Sequence, residues 1–323
     1  MKKLNALLFA LLLTIAALAG CGSSTEQSNA QPAKKNETAQ KAEVKFPVSI
    51  TDGTGQEVKI ESKPEKIVSL IPSNTEIAYG LDLGDQIVGV SDFDNYPEEV
   101  AKKEKIGGME FNVEKIISLK PELVLAHASS AHTSAAGLQQ LKDAGITVLV
   151  VNDATTFDQV YESISMIGTA SGEKEKADAL IADMKKKIEG IKSKAKEVKE
   201  EDRKSVFVEV SPAPEVYAAG KKTFIDEMLQ IINAENTVTE EGWPKLDSEA
   251  IIKSNPDVII TTHGYYTPEP VKNVTSRKGW DKITAVKENR VVDVHSDKVT
   301  RTGPRLTEGV EELAKAVYPD VFK

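Results

Sequence analysis

The sequence predicts an α/β protein of two similar lobes with mostly parallel sheets, joined by one long backbone helix. Three observations support this fold class. The 323 residues suffice for about two domains at roughly 150 residues each. Short apolar segments alternate with helical segments on both sides of one long helical stretch, which is typical of parallel sheets. One sequence pattern also occurs twice at an offset of 135 residues, which indicates two related halves.

The composition excludes several kinds of protein. Apolar residues make up 40% and charged residues 28% of the chain, as in ordinary globular proteins. The net charge of −9 argues against nucleic acid as a partner, because a phosphate backbone requires a basic surface. The single cysteine excludes internal disulfides and cysteine-based metal clusters.

Residues 1–20 have the composition of a signal peptide. Two lysines precede an apolar run at 6–18, which is too short to cross a hydrocarbon core about 30 Å thick. The run ends in Leu-Ala-Gly before Cys21, a sequence that resembles the bacterial lipobox. That resemblance implies lipidation of the Cys21 thiol and cleavage before it; the alternative is an ordinary secretory site with a chance cysteine. The polar segment that completes 21–43 lacks Val, Leu, Ile and aromatic residues, which predicts a flexible tether.

The first lobe is expected to span residues 44–170. An Asp-Gly-Thr-Gly turn at 52–55 separates two alternating segments, which is a β-hairpin pattern. Apolar segments further on predict parallel strands with helices between them, at 66–71, 86–91, 122–126 and 147–151.

A helical stretch at 173–200 predicts the connection between the lobes, within a linking segment at 171–202. It follows a helix expected at 158–170 and contains no proline, and its length is about 42 Å at 1.5 Å per residue. The second lobe, at 203–323, repeats the alternation. Its strands are predicted at 205–210, 257–262 and 290–294, and its helices at 224–232 and 304–317.

The repeated pattern begins at Asn112 and again at Asp247. Each copy has a capping residue, a glutamate two places on, an Ile-Ile pair, a proline, an acidic residue and an apolar run. Asn112 and Asp247 therefore predict helix N-caps, Pro121 and Pro256 predict the helix ends, and the apolar runs predict central strands.

Several motifs carry a resemblance to a known family. They are the Ile67–Leu81 segment with its Pro-Ser-Asn-Thr-Glu, the Ser-Asp-x-x-x-Tyr-Pro loop within 88–97, the copy beginning at Asn112, and Trp243-Pro244. Together they are similar to the helical-backbone class of substrate-binding proteins that serve ABC importers, in its cobalamin-binding and iron-siderophore-binding branches. The chain differs from cobalamin-binding relatives at 107–111, where Gly-Gly-Met-Glu-Phe replaces a segment that usually contains tryptophan.

This resemblance implies a lipid-anchored monomer on the outer face of the cytoplasmic membrane of a Gram-positive bacterium. It would deliver a large metal-chelate nutrient to an ABC permease dimer with its ATPase subunits. Cobalamin or another corrinoid is favoured, with an iron-siderophore or haem as alternatives. No cofactor is expected, since the ligand itself would carry cobalt or iron.

The ligand is expected in a cleft between the lobes, because ligands of open α/β sheets bind beyond the carboxyl ends of the strands. Candidate contacts lie in the loops at those ends: Phe93, Tyr96, Met109, Phe111, Tyr217, Trp243, Tyr265 and Arg301. The family resemblance assigns Glu114 and Glu249, at equivalent positions of the repeated pattern, to docking on the permease.

Other residues favour structural roles or leave alternatives open. Ser73 and Glu76 have the spacing of a capping box, and Arg305 fits either a cleft contact or a helix start. The four histidines are dispersed, so no metal site is predicted. No nucleophile elbow, P-loop or dinucleotide fingerprint occurs, so no catalytic residues are predicted; a surface-anchored hydrolase or an adhesion protein would be the alternatives of another class.

Overall fold

The computed structural model describes residues 44–323, and its chain starts with an antiparallel hairpin. The two strands are β1 (Val48–Thr51) and β2 (Glu57–Ile60). The hairpin turn is fastened to the first lobe, because the Gly53 amide donates to the Val150 carbonyl oxygen at 2.6 Å. The hairpin prediction is confirmed, whereas the predicted signal peptide, Cys21 and the tether lie outside the described residues.

Five parallel strands form the sheet of the first lobe. In chain order they are β3 (Ile67–Ser69), β4 (Ile87–Val90), β5 (Glu104–Lys105), β6 (Leu123–His127) and β7 (Thr147–Val151). Across the sheet the order is β5-β4-β3-β6-β7. The helices of this lobe are α1 (Pro72–Gly80), α2 (Val113–Leu119), α3 (Ala128–Ala131), α4 (Ala135–Asp143) and α5 (Phe157–Ser171). The four predicted strands are present, and β5 adds a short charged edge strand that has no apolar signal in the sequence.

The linking helix α6 (Lys174–Ala195) contacts α5 on one side and the second lobe on the other. It is shorter than the stretch at 173–200 that the sequence predicted. After Ala195 the amides of Glu197 and Val198 donate to carbonyls three residues back, so the chain tightens and leaves the helix. This turn buries Val198 in the core. The helix therefore ends at Ala195, although the charged residues that favour a helix continue to residue 200.

The second lobe has its own mostly parallel sheet. In chain order the strands are β8 (Ser205–Ser211), β9 (Tyr217–Ala218), β10 (Glu235–Asn236), β11 (Val258–Thr261) and β12 (Val291–Asp293). The parallel order is β10-β8-β11-β12, and β9 pairs antiparallel with β8. The helices are α7 (Phe224–Ile231), α8 (Ser248–Ser254), α9 (Pro270–Thr275), α10 (Thr284–Lys287), α11 (Ser296–Thr300) and α12 (Leu306–Val317). Short 3-10 turns lie at Glu98–Lys102, Glu200–Asp202 and Trp280–Lys282.

The repeated pattern folds into the same unit in both lobes. Asn112 caps α2 by accepting the Lys115 amide at 2.9 Å, and Asp247 caps α8 by accepting the Ala250 amide at 2.7 Å. Both helices end on a residue with positive φ, and each is followed by a central strand, β6 or β11. The predicted caps and strands are confirmed.

Successive side chains along the strands point alternately to a core that both lobes share and to a second core that belongs to one lobe alone. Ile67 and Val206 point to the shared core, whereas their neighbours Val68 and Phe207 point to the outer faces of their sheets. We call the shared cluster the central core. It includes Ile67 and Ile77 from the first lobe, Met184 and Ile188 from α6, and Val208, Met228 and Leu313 from the second lobe.

Candidate ligand-binding site

A cavity of about 530 Å³ lies between the lobes, where the carboxyl ends of both sheets face each other. Loops after β3, β4, β6 and β7 line it from the first lobe, and segments after β9, β11 and β12 line it from the second. Its residues are Ile71, Pro72, Ser73, Phe93, Asn95, His127, Ser129, Asp153, Phe224, Tyr265, Ser296, Asp297, Thr300, Arg301 and Thr302. The cleft therefore forms at the strand ends, as the topology of open α/β sheets predicts.

Two exposed aromatic side chains line the cavity from opposite lobes. Phe93 is 53% exposed and Tyr265 is 77% exposed. The Tyr265 ring is braced edge-on by Tyr266, with 4.7 Å between the ring centroids. Exposed aromatic faces of this kind supply a large apolar contact area at small entropic cost.

Phe224 lines the cavity at the start of α7, and Trp243 packs behind it. The two ring centroids are 5.5 Å apart, and Trp243, which does not line the cavity itself, is 44% exposed. Trp243 therefore supports the cavity wall through Phe224, a residue that the sequence placed only within a helix.

A cluster of charged groups joins the lobes at one side of the cavity. Glu76 of α1 is buried and binds Arg305 through both carboxylate oxygens, at 2.9 and 2.6 Å. Arg301 donates to Glu76 at 2.9 Å and to the Asn95 side chain at 2.7 Å. Asn95 in turn donates to Asp297 at 2.9 Å, and Asp297 lies 3.1 Å from Arg301. We call Glu76, Asn95, Asp297, Arg301 and Arg305 the interlobe cluster.

The interlobe cluster corrects the expected capping box. Pro72 occupies the first turn of α1 and the N-cap is Ile71, so Ser73 and Glu76 both lie inside the helix. Proline fits the first helical turn because its fixed φ and missing N–H are tolerated there. Glu76 is thereby free to pair with arginines across the cleft. The Arg301 guanidinium borders the cavity, but both of its terminal nitrogens are already bound to protein groups.

His127 and Asp153 form a polar part of the cavity wall in the first lobe. His127 ends β6 and is 5% exposed, and its Nδ1 lies 2.8 Å from the Ser129 hydroxyl and accepts the Ser129 amide at 3.3 Å. Burial lowers the pKa of His127 below 6.5, and the nearby charge of Asp153 opposes this shift only in part. Asp153 is exposed just beyond β7 and forms no ion pair within residues 44–323.

The remaining predicted contacts lie outside this cavity. Tyr96 covers the Arg305 guanidinium at 4.0 Å from its ring centroid and lines a separate cavity of about 420 Å³ beside α6. Met109 is exposed in the loop beside Phe93, and Phe111 packs against the outer core of the first lobe. Tyr217 lies on β9, where it pairs with Ser211 and bridges to Lys245.

A buried charged cluster supports the second lobe beside Tyr266, whose ring centroid lies 6.0 Å from that of His263. Arg277 donates to both carboxylate oxygens of Glu209 at 2.6 and 2.7 Å, and His263 Nε2 lies 3.0 Å from the same carboxylate. The Arg277 guanidinium also stacks on Trp280, whose indole N–H donates to the Ser248 hydroxyl at the start of α8. Burial alone would raise the pKa of Glu209, but the hydrogen bonds and charges of Arg277 and His263 outweigh it and lower the pKa below 4.5.

Glu114 and Glu249 occupy equivalent places in the two lobes. Each is exposed in the first turn of its helix, α2 or α8, two residues after the cap. Neither takes part in a salt bridge with any residue between 44 and 323. A carboxylate at this place complements the helix dipole, which by itself accounts for a local stabilising role.

Sequence reasoning missed His127, Asp153, Phe224 and Asp297 as cavity residues. The available signal for the first two was their position, at the end of the strand at 122–126 and just after the strand at 147–151. Within residues 44–323 no group of three or more potential ligand side chains could hold a metal ion. No helix in that part of the chain is long and apolar enough to cross a membrane.

Two α/β lobes on a shared helix, with a cavity at their facing strand ends, define a solute-binding protein of the helical-backbone class. The chain belongs to the periplasmic binding protein family, whose model matches residues 67–298. This family consists of substrate-binding proteins for transporters rather than enzymes, which confirms both the family resemblance and the prediction of no enzymatic activity.

Comparison with individual proteins gives three informative likenesses. The chain is 54% identical to the uncharacterized ABC transporter substrate-binding lipoprotein YvrC of Bacillus subtilis, over all of both chains. It is 28% identical to a cobalamin-binding protein of Halobacterium salinarum, over 89% of this chain and 78% of that protein. A crystal structure from Staphylococcus epidermidis, described as a possible iron-binding (periplasmic solute-binding) protein, is 39% identical with a TM-score of 0.72 and covers 80% of this chain and 100% of that one.

Proposed function

We propose that this protein captures a large metal-chelate nutrient, a corrinoid such as cobalamin in the first place, and delivers it to an ABC importer. The observation that carries the proposal is the pair of exposed aromatic rings, Phe93 and Tyr265, on opposite walls of the interlobe cavity. A flat ligand can be covered on two sides by such rings, while the Ser, Thr and Asn groups between them bind its polar edge. Similarity to cobalamin-binding relatives supports the choice of ligand.

Ligand screening tests this proposal directly. The protein without its first 43 residues would be titrated with cobalamin, cobinamide, haem, and hydroxamate and catecholate ferric siderophores, with thermal shift and calorimetry as readouts. Phe93→Ala and Tyr265→Ala are each expected to weaken corrinoid binding about tenfold, or about 1.4 kcal/mol. Tyr217→Ala is the matched control, since this exposed tyrosine lies outside the cavity. A stable protein that binds none of the corrinoids would overturn the choice of ligand.

An iron chelate is the second candidate. The observation that favours it is the 39% identity to the Staphylococcus epidermidis protein described as possibly binding iron. The same screen distinguishes the candidates: stabilisation by a ferric siderophore or haem, without stabilisation by either corrinoid, would select the iron chelate.

We also propose that Cys21 anchors the protein by a lipid to the outer face of the cytoplasmic membrane. Two observations support this location. Cys21 is the only cysteine in the sequence and follows a lipobox-like segment, and the relative in Bacillus subtilis is described as a lipoprotein. Cys21→Ser is expected to release the protein from the membrane fraction into the medium. A variant that stays in the membrane fraction would contradict the lipid anchor.

Glu114 and Glu249 are proposed to dock this carrier on the two permease subunits. Their equivalent, exposed positions give a pseudo-two-fold pair of charges, which matches the symmetry of a dimeric permease. Replacing both with alanine should leave ligand affinity unchanged and strongly reduce transport and permease association. The control is the double variant Glu162→Ala with Glu288→Ala, which removes the same charge from exposed positions elsewhere. Equal transport by the docking variant and this control would refute the docking role.

A further inference from the structure

The protonation of His127 is determined by its neighbours. The Ser129 backbone N–H can only donate a hydrogen bond, and it points at His127 Nδ1. Nδ1 must therefore accept, and the proton of the neutral imidazole is on Nε2. The ring lines the cavity, and Nε2 has no hydrogen-bond partner among the described residues. His127 thus offers one N–H donor to a ligand.

Asp153 supplies an acceptor on the same wall. Its carboxylate is exposed, borders the cavity and has no cationic partner within residues 44–323. The other cavity carboxylate, Asp297, is different, because it is bound to Arg301 and Asn95 in the interlobe cluster. His127 is paired with Val151 across strands β6 and β7, and Asp153 follows Val151 by two residues, so both side chains border the cavity at the same end of the sheet.

A carboxylate on the ligand has no counter-charge on this wall. Burial lowers the pKa of His127 below 6.5, which favours the neutral imidazole at pH 7. The terminal nitrogens of Arg301 are taken up by Glu76, Asn95, Asp297 and the Phe93 carbonyl oxygen. An anionic group placed here would therefore face the unpaired charge of Asp153, and the repulsion between two like charges close together disfavours its binding.

We propose that His127 and Asp153 together recognise a neutral primary carboxamide on the ligand and reject a carboxylate at the same place. The amide carbonyl accepts from Nε2–H of His127, and the amide NH₂ donates to Asp153. This inference rests on the proposed function, since corrinoids carry carboxamide side chains around their ring. The pair thereby defines a specificity determinant that is separate from the aromatic walls.

The test compares cyanocobalamin with its monocarboxylic acid derivatives, in each of which one side-chain amide is hydrolysed to a carboxylate. Calorimetry at pH 7 gives the dissociation constants. The wild-type protein should bind at least one derivative about tenfold or more weakly than cyanocobalamin, or about 1.4 kcal/mol. Asp153→Asn should reduce that discrimination to about twofold, because an asparagine amide can donate to the carboxylate and has no charge.

The control is Asp281→Asn, which removes one exposed carboxylate from the Trp280–Lys282 turn, outside the cavity lining, and should keep the wild-type discrimination. His127→Gln should weaken binding of cyanocobalamin while keeping the thermal midpoint. Equal binding of cyanocobalamin and all derivatives by the wild-type protein, or unchanged discrimination in a folded Asp153→Asn variant, would overturn this inference alone. Absence of any corrinoid binding would overturn the proposed function and this inference with it.

Discussion

Glu76 connects the two lobes, because its carboxylate in the first lobe binds two arginines of the second lobe. Its carboxylate is buried and satisfies Arg301 and Arg305, which lie more than 220 residues away in the sequence. Buried charges are tolerated only when they are paired and hydrogen-bonded, so each member of the interlobe cluster depends on the others.

We expect Glu76→Gln to destabilise the protein by about 3 kcal/mol, because it leaves two arginines close together without their shared counter-charge. Urea unfolding at pH 7 measures this change. Glu308→Gln, an exposed position on α12, should change the free energy of unfolding by less than about 1 kcal/mol. A Glu76 variant as stable as this control would show that the interlobe cluster contributes no net stability.

Glu209 predicts an acid-sensitive contribution to stability. Its folded-state pKa is lowered below 4.5, so the unfolded chain takes up the proton more readily than the native protein does. The stabilisation is therefore fully present above about pH 4.5 and is lost as the pH falls through the lower, folded value. The difference in unfolding free energy between wild type and Glu209→Gln should shrink below pH 4.5; a difference that is constant from pH 7 to pH 3 would contradict this assignment.

At the scale of secondary structure, the sequence predicted those features that depend on interactions between residues close together in the chain. Asn112 and Asp247 were recognised as caps because capping needs only a short side chain and an amide three residues on. The end of α6 was misplaced because burial of Val198, a tertiary event, stops a helix that its composition would continue. The pairing of Glu76 with Arg301 and the joint position of His127 and Asp153 were not predictable, because no sequence spacing reports contacts between distant loops.

The two caps should contribute similarly to the free energy of unfolding, since α2 and α8 are copies of one repeated unit. Asn112→Ala and Asp247→Ala are each expected to cost about 1 kcal/mol in urea unfolding, through loss of the bond to the Lys115 or Ala250 amide. Restoring a hydroxyl acceptor with Asn112→Ser or Asp247→Ser should recover most of the loss. Failure of serine to recover stability would show that the caps act through another contact.

For the whole molecule, the central core limits how far the lobes can move apart. Its side chains come from both lobes and from α6, so a wide hinge opening would expose buried apolar surface to water. Short sequence motifs were sufficient to predict the family. The shared core was not predictable in the same way, because it forms between residues that are far apart in the chain.

Ligand binding is therefore expected to change the distance between the lobes by only a few ångström. Spin labels at Gln139 on α4 and Lys272 on α9 would report it, in a Cys21→Ser background that removes the only native cysteine. Both positions are exposed and belong to different lobes. A ligand-dependent change in the mean distance between the two labels that is as large as the width of the cavity would contradict the expected small movement of the lobes.

The central core also has a consequence for the order of events during synthesis. Ile60 in the hairpin and Phe322 near the last helix are both buried in this one cluster. A nascent chain emerging from the ribosome can pair the strands of its first lobe early, but it cannot close the core until almost all of its residues are available. The cluster stays incomplete until α7 and α12, which contribute Met228 and Leu313, have been synthesised, so completion of the fold is a late step.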